Sequence, residues 1–318
     1  MSAASPGQPL PGATAPPQGP PAQAGRKPII AVRQLVKRFE GRAVLAGVDL
    51  DVYPGETVVI MGGSGCGKST FLRCLIGTHI VDEGSVEMFG KNLATLDEAG
   101  LDSVRKRFGI LFQSGALFNS MTIAENVALP LREHTDLDSG TIDTIVKIKL
   151  EQVNLREHAD KFPAQISGGM KKRAGLARAM ALDPKILFYD EPSAGLDPVT
   201  SAEIDDLIVK LTRKLGVTSV VVTHEMDSAF TIADRMVMLD KGRVLRIDTR
   251  VWFDDLRKKS REEAAALPED HQLIRQFLRG DAEGPITRRR LTTDYADDLL
   301  GRPATIDATP SIEATRQR

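Results

Sequence analysis

Gly62-Gly63-Ser64-Gly65-Cys66-Gly67-Lys68-Ser69-Thr70 lies between an apolar run, Thr57-Val58-Val59-Ile60-Met61, and a segment of helical pattern, Phe71-Leu72-Arg73-Cys74-Leu75-Ile76. A strand, a glycine-rich loop and a helix in that order are what a phosphate-binding loop requires. The glycines allow the backbone to curl until successive N–H groups face a β-phosphate, and the helix start adds partial positive charge at the same point. Lys68 is expected to bridge the β- and γ-phosphates of a nucleotide, and the Ser69 hydroxyl to ligate Mg²⁺. Gly62, Ser64, Gly65, Cys66, Gly67 and Thr70 complete the expected cradle.

Downstream, Ile186-Leu187-Phe188-Tyr189-Asp190-Glu191 is a second buried-strand pattern, and it ends in two acids. After a phosphate loop, such a strand supplies a carboxylate that holds Mg²⁺ through water, here Asp190, and a general base for the attacking water, here Glu191. Between the two strands, Ser167-Gly168-Gly169 opens a helical pattern and forms another anion cradle. One nucleotide does not need two cradles on one subunit. Two copies arranged head to tail do, each loop facing the partner's Ser-Gly-Gly across a sandwiched ATP, and two-fold symmetry forms both sites together.

With these motifs the chain resembles the ATP-binding subunits of ABC transporters, over roughly residues 29–250. The resemblance implies an α/β fold: a P-loop NTPase (RecA-like) core, an antiparallel β subdomain and a helical subdomain. It also assigns roles. Phe39 matches the aromatic that stacks on adenine, although as a residue it reads equally well as core. Gln113 matches the glutamine that senses the γ-phosphate, the metal and the membrane partner; read alone, it is a surface amide. Asp197 matches the loop residue that couples the two sites, and Asp197-Pro198 also reads as a helix cap. His224, after Ser219-Val220-Val221-Val222-Thr223, matches the γ-phosphate switch histidine. Met170 stands where the family motif usually carries Gln. The phosphate contacts come from the serine hydroxyl and glycine amides, so this departure leaves ATP hydrolysis intact.

The stretches from Val104 to Phe118 and from Asn126 to Thr135 narrow the resemblance to the ATPases of Mla-type systems, which maintain lipid asymmetry of the Gram-negative outer membrane. Ser167-Gly168-Gly169-Met170, Arg275-Gln276-Phe277-Leu278, Gly284-Pro285 and Asp294-Tyr295 fit the same pattern. The resemblance implies a motor at the cytoplasmic face of the inner membrane, attached peripherally. Its implied partners are a second copy of the chain, a multi-span permease, a periplasmic lipid-binding component and a small cytoplasmic regulatory protein. The core motifs alone equally suit an importer of another small solute.

Composition agrees with a globular protein of one or two domains: 318 residues, 42% hydrophobic, formal net charge -1. That charge gives no reason to expect a nucleic-acid partner. No apolar run reaches the roughly 20 residues needed to span a bilayer, and no signal peptide is evident. Two cysteines are too few for a disulfide framework or a zinc site, which suits the cytosol. Residues 1–28, rich in Pro, Ala, Gly and Gln, are expected to be a disordered tail. An ATPase domain is expected over 29–255, with its helical subdomain at about 114–183, and a C-terminal extension over 256–318. The apolar stripe Leu273, Ile274, Phe277 and Leu278 in that extension fits either a contact with the partner subunit or packing within the tail.

Overall fold

The computed structural model describes residues 26–287. Most of the tail expected at 1–28, and the stretches Arg288-Arg289-Arg290 and Asp294-Tyr295, lie outside the described residues. Alternating burial organises the first part. Ile30, Val32 and Leu35 of β1 (Ile30–Phe39) point into the core, as do Leu45, Val48, Leu50 and Val52 of β2 (Arg42–Val52). The two strands pair antiparallel, Ile30 opposite Val52 and Val32 opposite Leu50, so both apolar sets share one face. The next strand, β3 (Thr57–Met61), is buried along its whole length and belongs to a different sheet. After α1 (Lys68–Leu75), the chain returns through β4 (Glu83–Met88) and β5 (Lys91–Asn92), which complete an antiparallel sheet of order β2-β1-β4-β5. α2 (Glu98–Arg105) follows, its N-terminus capped by Asp97.

The second sheet begins with β6 (Phe108–Leu111). Three helices come next: α3 (Ile123–His134), α4 (Ser139–Gln152) and α5 (Gly168–Ala179). A Thr122/Glu125 capping box starts α3. The fully buried Asn126 amide ties the preceding loop down through both the N–H and the carbonyl of Phe118. Then come β7 (Ile186–Asp190), α6 (Pro198–Leu215), β8 (Thr218–Val222), α7 (Met226–Ile232), β9 (Arg235–Asp240) and β10 (Arg243–Thr249). The sheet order is β10-β9-β3-β8-β7-β6, parallel except for the β9–β10 hairpin. Lys241 (φ 45°) and Gly242 (φ 75°) form the hairpin turn with two left-handed residues, the geometry that suits strand twist.

One feature differs from the sequence reading: the edge of the sheet opposite β10 is β6, a strand of only four residues that the sequence pattern did not single out. Its period is hidden by Gly109, which must be glycine because α5 crosses too closely: a β-carbon there would lie 2.0 Å from the carbonyl oxygen of Ala179.

The chain divides into two compact units, with the second beginning at Leu256. α8 (Arg250–Lys258) carries the chain across that boundary. Within the second unit α9 (Arg261–Ala265) packs on α10 (Glu269–Arg279), and Leu273, Ile274 and Leu278 are buried. The Gln276 side chain accepts from the N–H of Ile286 at 2.8 Å and donates to the Thr287 hydroxyl at 2.9 Å, pinning the segment after α10.

Candidate functional site

The parallel strands end level with one another. Ile60 of β3 is opposite Val222 of β8, Val222 is opposite Asp190 of β7, and Tyr189 is opposite Leu111 of β6. The glycine loop, His224, Glu191 and Gln113 each follow one of these ends within a few residues, so one edge of the sheet collects them. This is where open α/β sheets bind ligands.

In the glycine loop Lys68 is buried, and its ammonium donates to the carbonyls of Gly62 at 2.7 Å and Gly63 at 3.0 Å. Among the described residues no carboxylate forms an ion pair with it. A buried positive charge held by two carbonyls and, at 4.0 Å, the Cys66 sulfur fits an anionic ligand. Gly67, the N-cap of α1, has φ 107°, and a β-carbon there would meet Leu45 Cδ2 at 2.9 Å. Gly62 is tighter, since a β-carbon would lie 2.1 Å from the Leu239 carbonyl oxygen. Cys66 packs beneath Gly62, and burial pushes its thiol up against the pull of Lys68. Those facts fit a small filler of the loop rather than a reactive thiol.

Asp190 is half-buried. Burial raises its carboxyl and the neighbouring Glu191 carboxylate adds to the rise, with Arg73 and Lys68 opposing. A hard cation would relieve this strain, and the carboxylate and the Ser69 hydroxyl are both oxygen donors of the kind Mg²⁺ takes. Among the described residues no three His, Cys, Asp or Glu side chains converge as a metal cage. Glu191 adopts φ 49°, a left-handed conformation that is uncommon for a residue with a β-carbon and that recurs at functional sites. Its N–H donates to Val222 at 2.9 Å. Its carboxylate meets His224 twice, Oε1 at 2.9 Å from Nδ1 and Oε2 at 3.3 Å from the backbone N–H. Two residues 33 apart in sequence thus form one unit.

Ser167 caps α5, its hydroxyl accepting from the Met170 N–H at 3.3 Å. A β-carbon on Gly169 would sit 2.3 Å from Thr200 Cγ2, so this glycine is required by packing within the chain as well as by any anion. Asp197 is the N-cap of α6 and accepts from the N–H groups of Val199 and Thr200 at 3.1 and 3.0 Å. Its bond to the Thr200 hydroxyl heads the causes that hold its carboxyl below the usual range. Phe39 is 42% exposed, which removes the core reading for it. Its ring meets His79 edge-on at 5.4 Å, and the Lys37 ammonium stands 5.3 Å from its centroid. Gln113 is exposed at the end of the β6 loop.

Sequence reasoning missed several residues around α5. Lys172 is buried and donates to the carbonyls of Ala194 and Glu191. Arg178 donates to the carbonyls of Gly115 and Ala116, directly after Gln113. Gly175 lets Gly115 approach, since a β-carbon would lie 2.8 Å from the Gly115 carbonyl oxygen. Lys171-Lys172-Arg173 reads in sequence as a solvated basic face, so nothing local marked the middle lysine as buried.

A model of the ABC transporter family matches residues 45–194. The chain is 40% identical over 259 residues to the intermembrane phospholipid transport system ATP-binding protein MlaF of Escherichia coli (strain K12), covering 81% of this chain and 91% of that one. It is 41% identical over 265 residues to the probable ribonucleotide transport ATP-binding protein mkl of Mycobacterium leprae, covering 82% of this chain and 73% of that one. Among solved structures, the ATP-binding cassette MJ0796, in a dimeric post-hydrolysis state bound to ADP and Pi, superposes with a TM-score of 0.64. It shares 31% identity over 70% of this chain and 98% of that one.

Proposed function

This chain belongs to the ATP-binding proteins of ABC transporters, and on that premise we propose that it is the motor of an inner-membrane transporter that moves phospholipids between the inner and outer membranes. The observation that carries the hydrolytic part is the Glu191–His224 unit, set at the sheet edge that also bears the Lys68 loop. The lipid part rests on the likeness to MlaF, whose name states intermembrane phospholipid transport.

In this reading Lys68 and the loop amides hold the phosphates of ATP. Glu191 takes the proton of the attacking water, and His224 orients the Glu191 carboxylate and reaches the γ-phosphate. Mg²⁺, when bound by Ser69, Asp190 and Gln113, supplies charge neutralisation between the phosphates. Phe39, exposed at the end of β1, offers a face to adenine. The two anion cradles have different neighbours: Gly62 lies against Leu239 of β9, Gly169 against Thr200 of α6. One nucleotide does not need both cradles, so in this reading it takes its loop from one copy and Ser167-Gly168-Gly169 from another, with Asp197 at the seam. Closure on ATP and reopening after hydrolysis move the helical subdomain (about 114–183) that grips the permease.

A groove of about 590 Å³ suits that grip. It runs between α2, β6, α3 and α5, lined by Phe112, Pro130, His134, Arg105 and Arg178 among others. Among the described residues no helix is long and apolar enough to cross a membrane. In this reading the permease supplies the membrane spans and this chain attaches peripherally at their cytoplasmic side. A periplasmic lipid-binding component and a small cytoplasmic regulator complete the assembly. A second contact with the partner copy through the extension over 256–318 rests on the resemblance alone, because its stripe residues Leu273, Ile274 and Leu278 are already buried within the chain.

Mixed dimers test the shared site. Ser167→Arg and Lys68→Ala subunits paired in one dimer leave one doubly damaged site and one intact, so the mixed dimer should keep up to about half of wild-type hydrolysis and a 1:1 mixture of subunits about a quarter. Loss of all activity in the mixture, with both subunits folded, would reject the head-to-tail arrangement. Affinity purification from membranes then identifies the cargo. A co-purifying permease with bound phospholipid supports the lipid reading. A second reading, transport of another small solute, draws on the likeness to mkl and predicts a permease without bound lipid.

A further inference from the structure

Lys172 lies in the second turn of α5, five residues after Ser167. Its side chain is 5% exposed, which is rare for lysine. Burial pulls its ammonium below the usual lysine range, and the carboxylates of Glu225 and Glu191 oppose that pull. Among the described residues no ion pair accounts for its position. The ammonium instead donates to two main-chain carbonyls, of Ala194 at 2.7 Å and of Glu191 at 3.3 Å. These carbonyls bracket the tight turn Glu191-Pro192-Ser193-Ala194, which the Ala194 N–H closes onto Glu191 at 3.3 Å.

Glu191 is the left-handed residue of that turn. Four contacts hold it: the Val222 carbonyl on its N–H, His224 on its carboxylate, and the Ala194 N–H and Lys172 on its C=O. The first two come from β8 and the residues just after it. Only Lys172 comes from α5, and the rest of α5 is engaged at both ends. Gly169 packs on Thr200 at its start, and Arg178 grasps Gly115 and Ala116 near its finish. A tilt of α5 therefore acts directly on the Glu191 carbonyl.

We propose that Lys172 is a positioning residue for ATP hydrolysis: by binding the carbonyls of Glu191 and Ala194 it fixes the backbone that aims the Glu191 carboxylate, and so links the orientation of α5 to the base. The proposal rests on the reading of Glu191 as the general base. The Lys172 ammonium is engaged by these two main-chain carbonyls, so its loss should act on turnover and spare binding.

The experiment compares Lys172→Met, which keeps the stem length and removes the donors, with Lys172→Arg, which keeps them, each in the full chain. Lys172→Met should lower kcat roughly 10- to 100-fold while KM for ATP and the Kd for ADP stay within about threefold. Lys172→Arg should recover most of the loss. Combined with Glu191→Gln, Lys172→Met should cost almost nothing further, because both act through one carboxylate. If Lys172→Met does not fold, Lys172→Gln, with one N–H donor pair, is judged by the same kinetic split. Unchanged kcat in the folded variant, or losses that multiply fully with those of Glu191→Gln, overturns the positioning role alone. Near-normal hydrolysis by Glu191→Gln overturns the base assignment and this proposal with it.

Discussion

Replacing Glu191 by Gln separates chemistry from structure at the centre of the site. The amide has the same shape as the carboxylate. Its oxygen can accept from the His224 N–H, now 3.3 Å from Oε2, and its NH₂ can donate to Nδ1, now 2.9 Å from Oε1. Both contacts survive in the tautomer that leaves Nδ1 unprotonated, so the structural penalty is bounded by about one hydrogen bond, ~1 kcal/mol. The chemical penalty is larger, because the amide cannot take the proton of water. General-base catalysis contributes about 10²- to 10⁴-fold, or about 2.7–5.5 kcal/mol of barrier. Nucleotide contacts through Lys68 and the glycine loop are untouched. Steady-state phosphate release should therefore fall at least about 100-fold. Affinity for ATP, titrated on the same preparation, should stay within about threefold, since no phosphate contact is removed. Because the product is not formed, the ATP-bound dimer should persist in gel filtration. Phosphate release within a few-fold of wild type would remove Glu191 from the role of base and leave its left-handed backbone without a catalytic reason.

Arg235→Met tests a buried pair at the start of the parallel sheet. Arg235 lies 2.9 Å from the Glu56 carboxylate, which burial already pushes up and Arg235 pulls down, so the variant should lose about 3 kcal/mol in urea unfolding at neutral pH. A carboxyl whose folded pKa is raised loses stability as pH rises from its unfolded pKa through its folded one. The deficit should therefore shrink as pH falls toward 4.5, and a deficit that grew on acidification would refute the assignment. Gly109→Ala forces a methyl against the Ala179 carbonyl at 2.0 Å, and should cost about 3 kcal/mol or prevent folding, whereas a midpoint matching wild type would show that α5 can move away from β6. Truncation after Gly280 removes the partners of the Gln276 side chain. It should destabilise the second unit by about 1–3 kcal/mol relative to truncation after Thr287, while ATP binding by the first unit persists in both. Equal thermal midpoints for the two truncations would count against that account.

Much of the chemistry was legible along the chain because it depends on local order. A phosphate loop needs a strand, a few glycines, a lysine and a helix start in succession, and Gly62 to Thr70 provides them within nine positions. The alternation in β1 and β2, the apolar run of β7 and the Lys241-Gly242 turn were equally local, and the family resemblance joined these segments into one cassette. Two assignments were open on the chain and are decided by exposure or geometry: Phe39 is not core, and Asp197 does cap a helix. What sequence could not supply was anything created by the crossing of α5 over the sheet. Gly109 and Gly175 look like breaks in a pattern until the backbones they admit are in place. Lys172 sits in a basic run that any local rule assigns to solvent, yet it is buried against carbonyls 19 and 22 residues away. The left-handed turn at Glu191 is held from β8, His224 and α5 at once. A periodic pattern records only which side of its own element a residue occupies. Contacts that join three elements through backbone carbonyls leave no pattern in any one of them, so they exist only once the chain has folded.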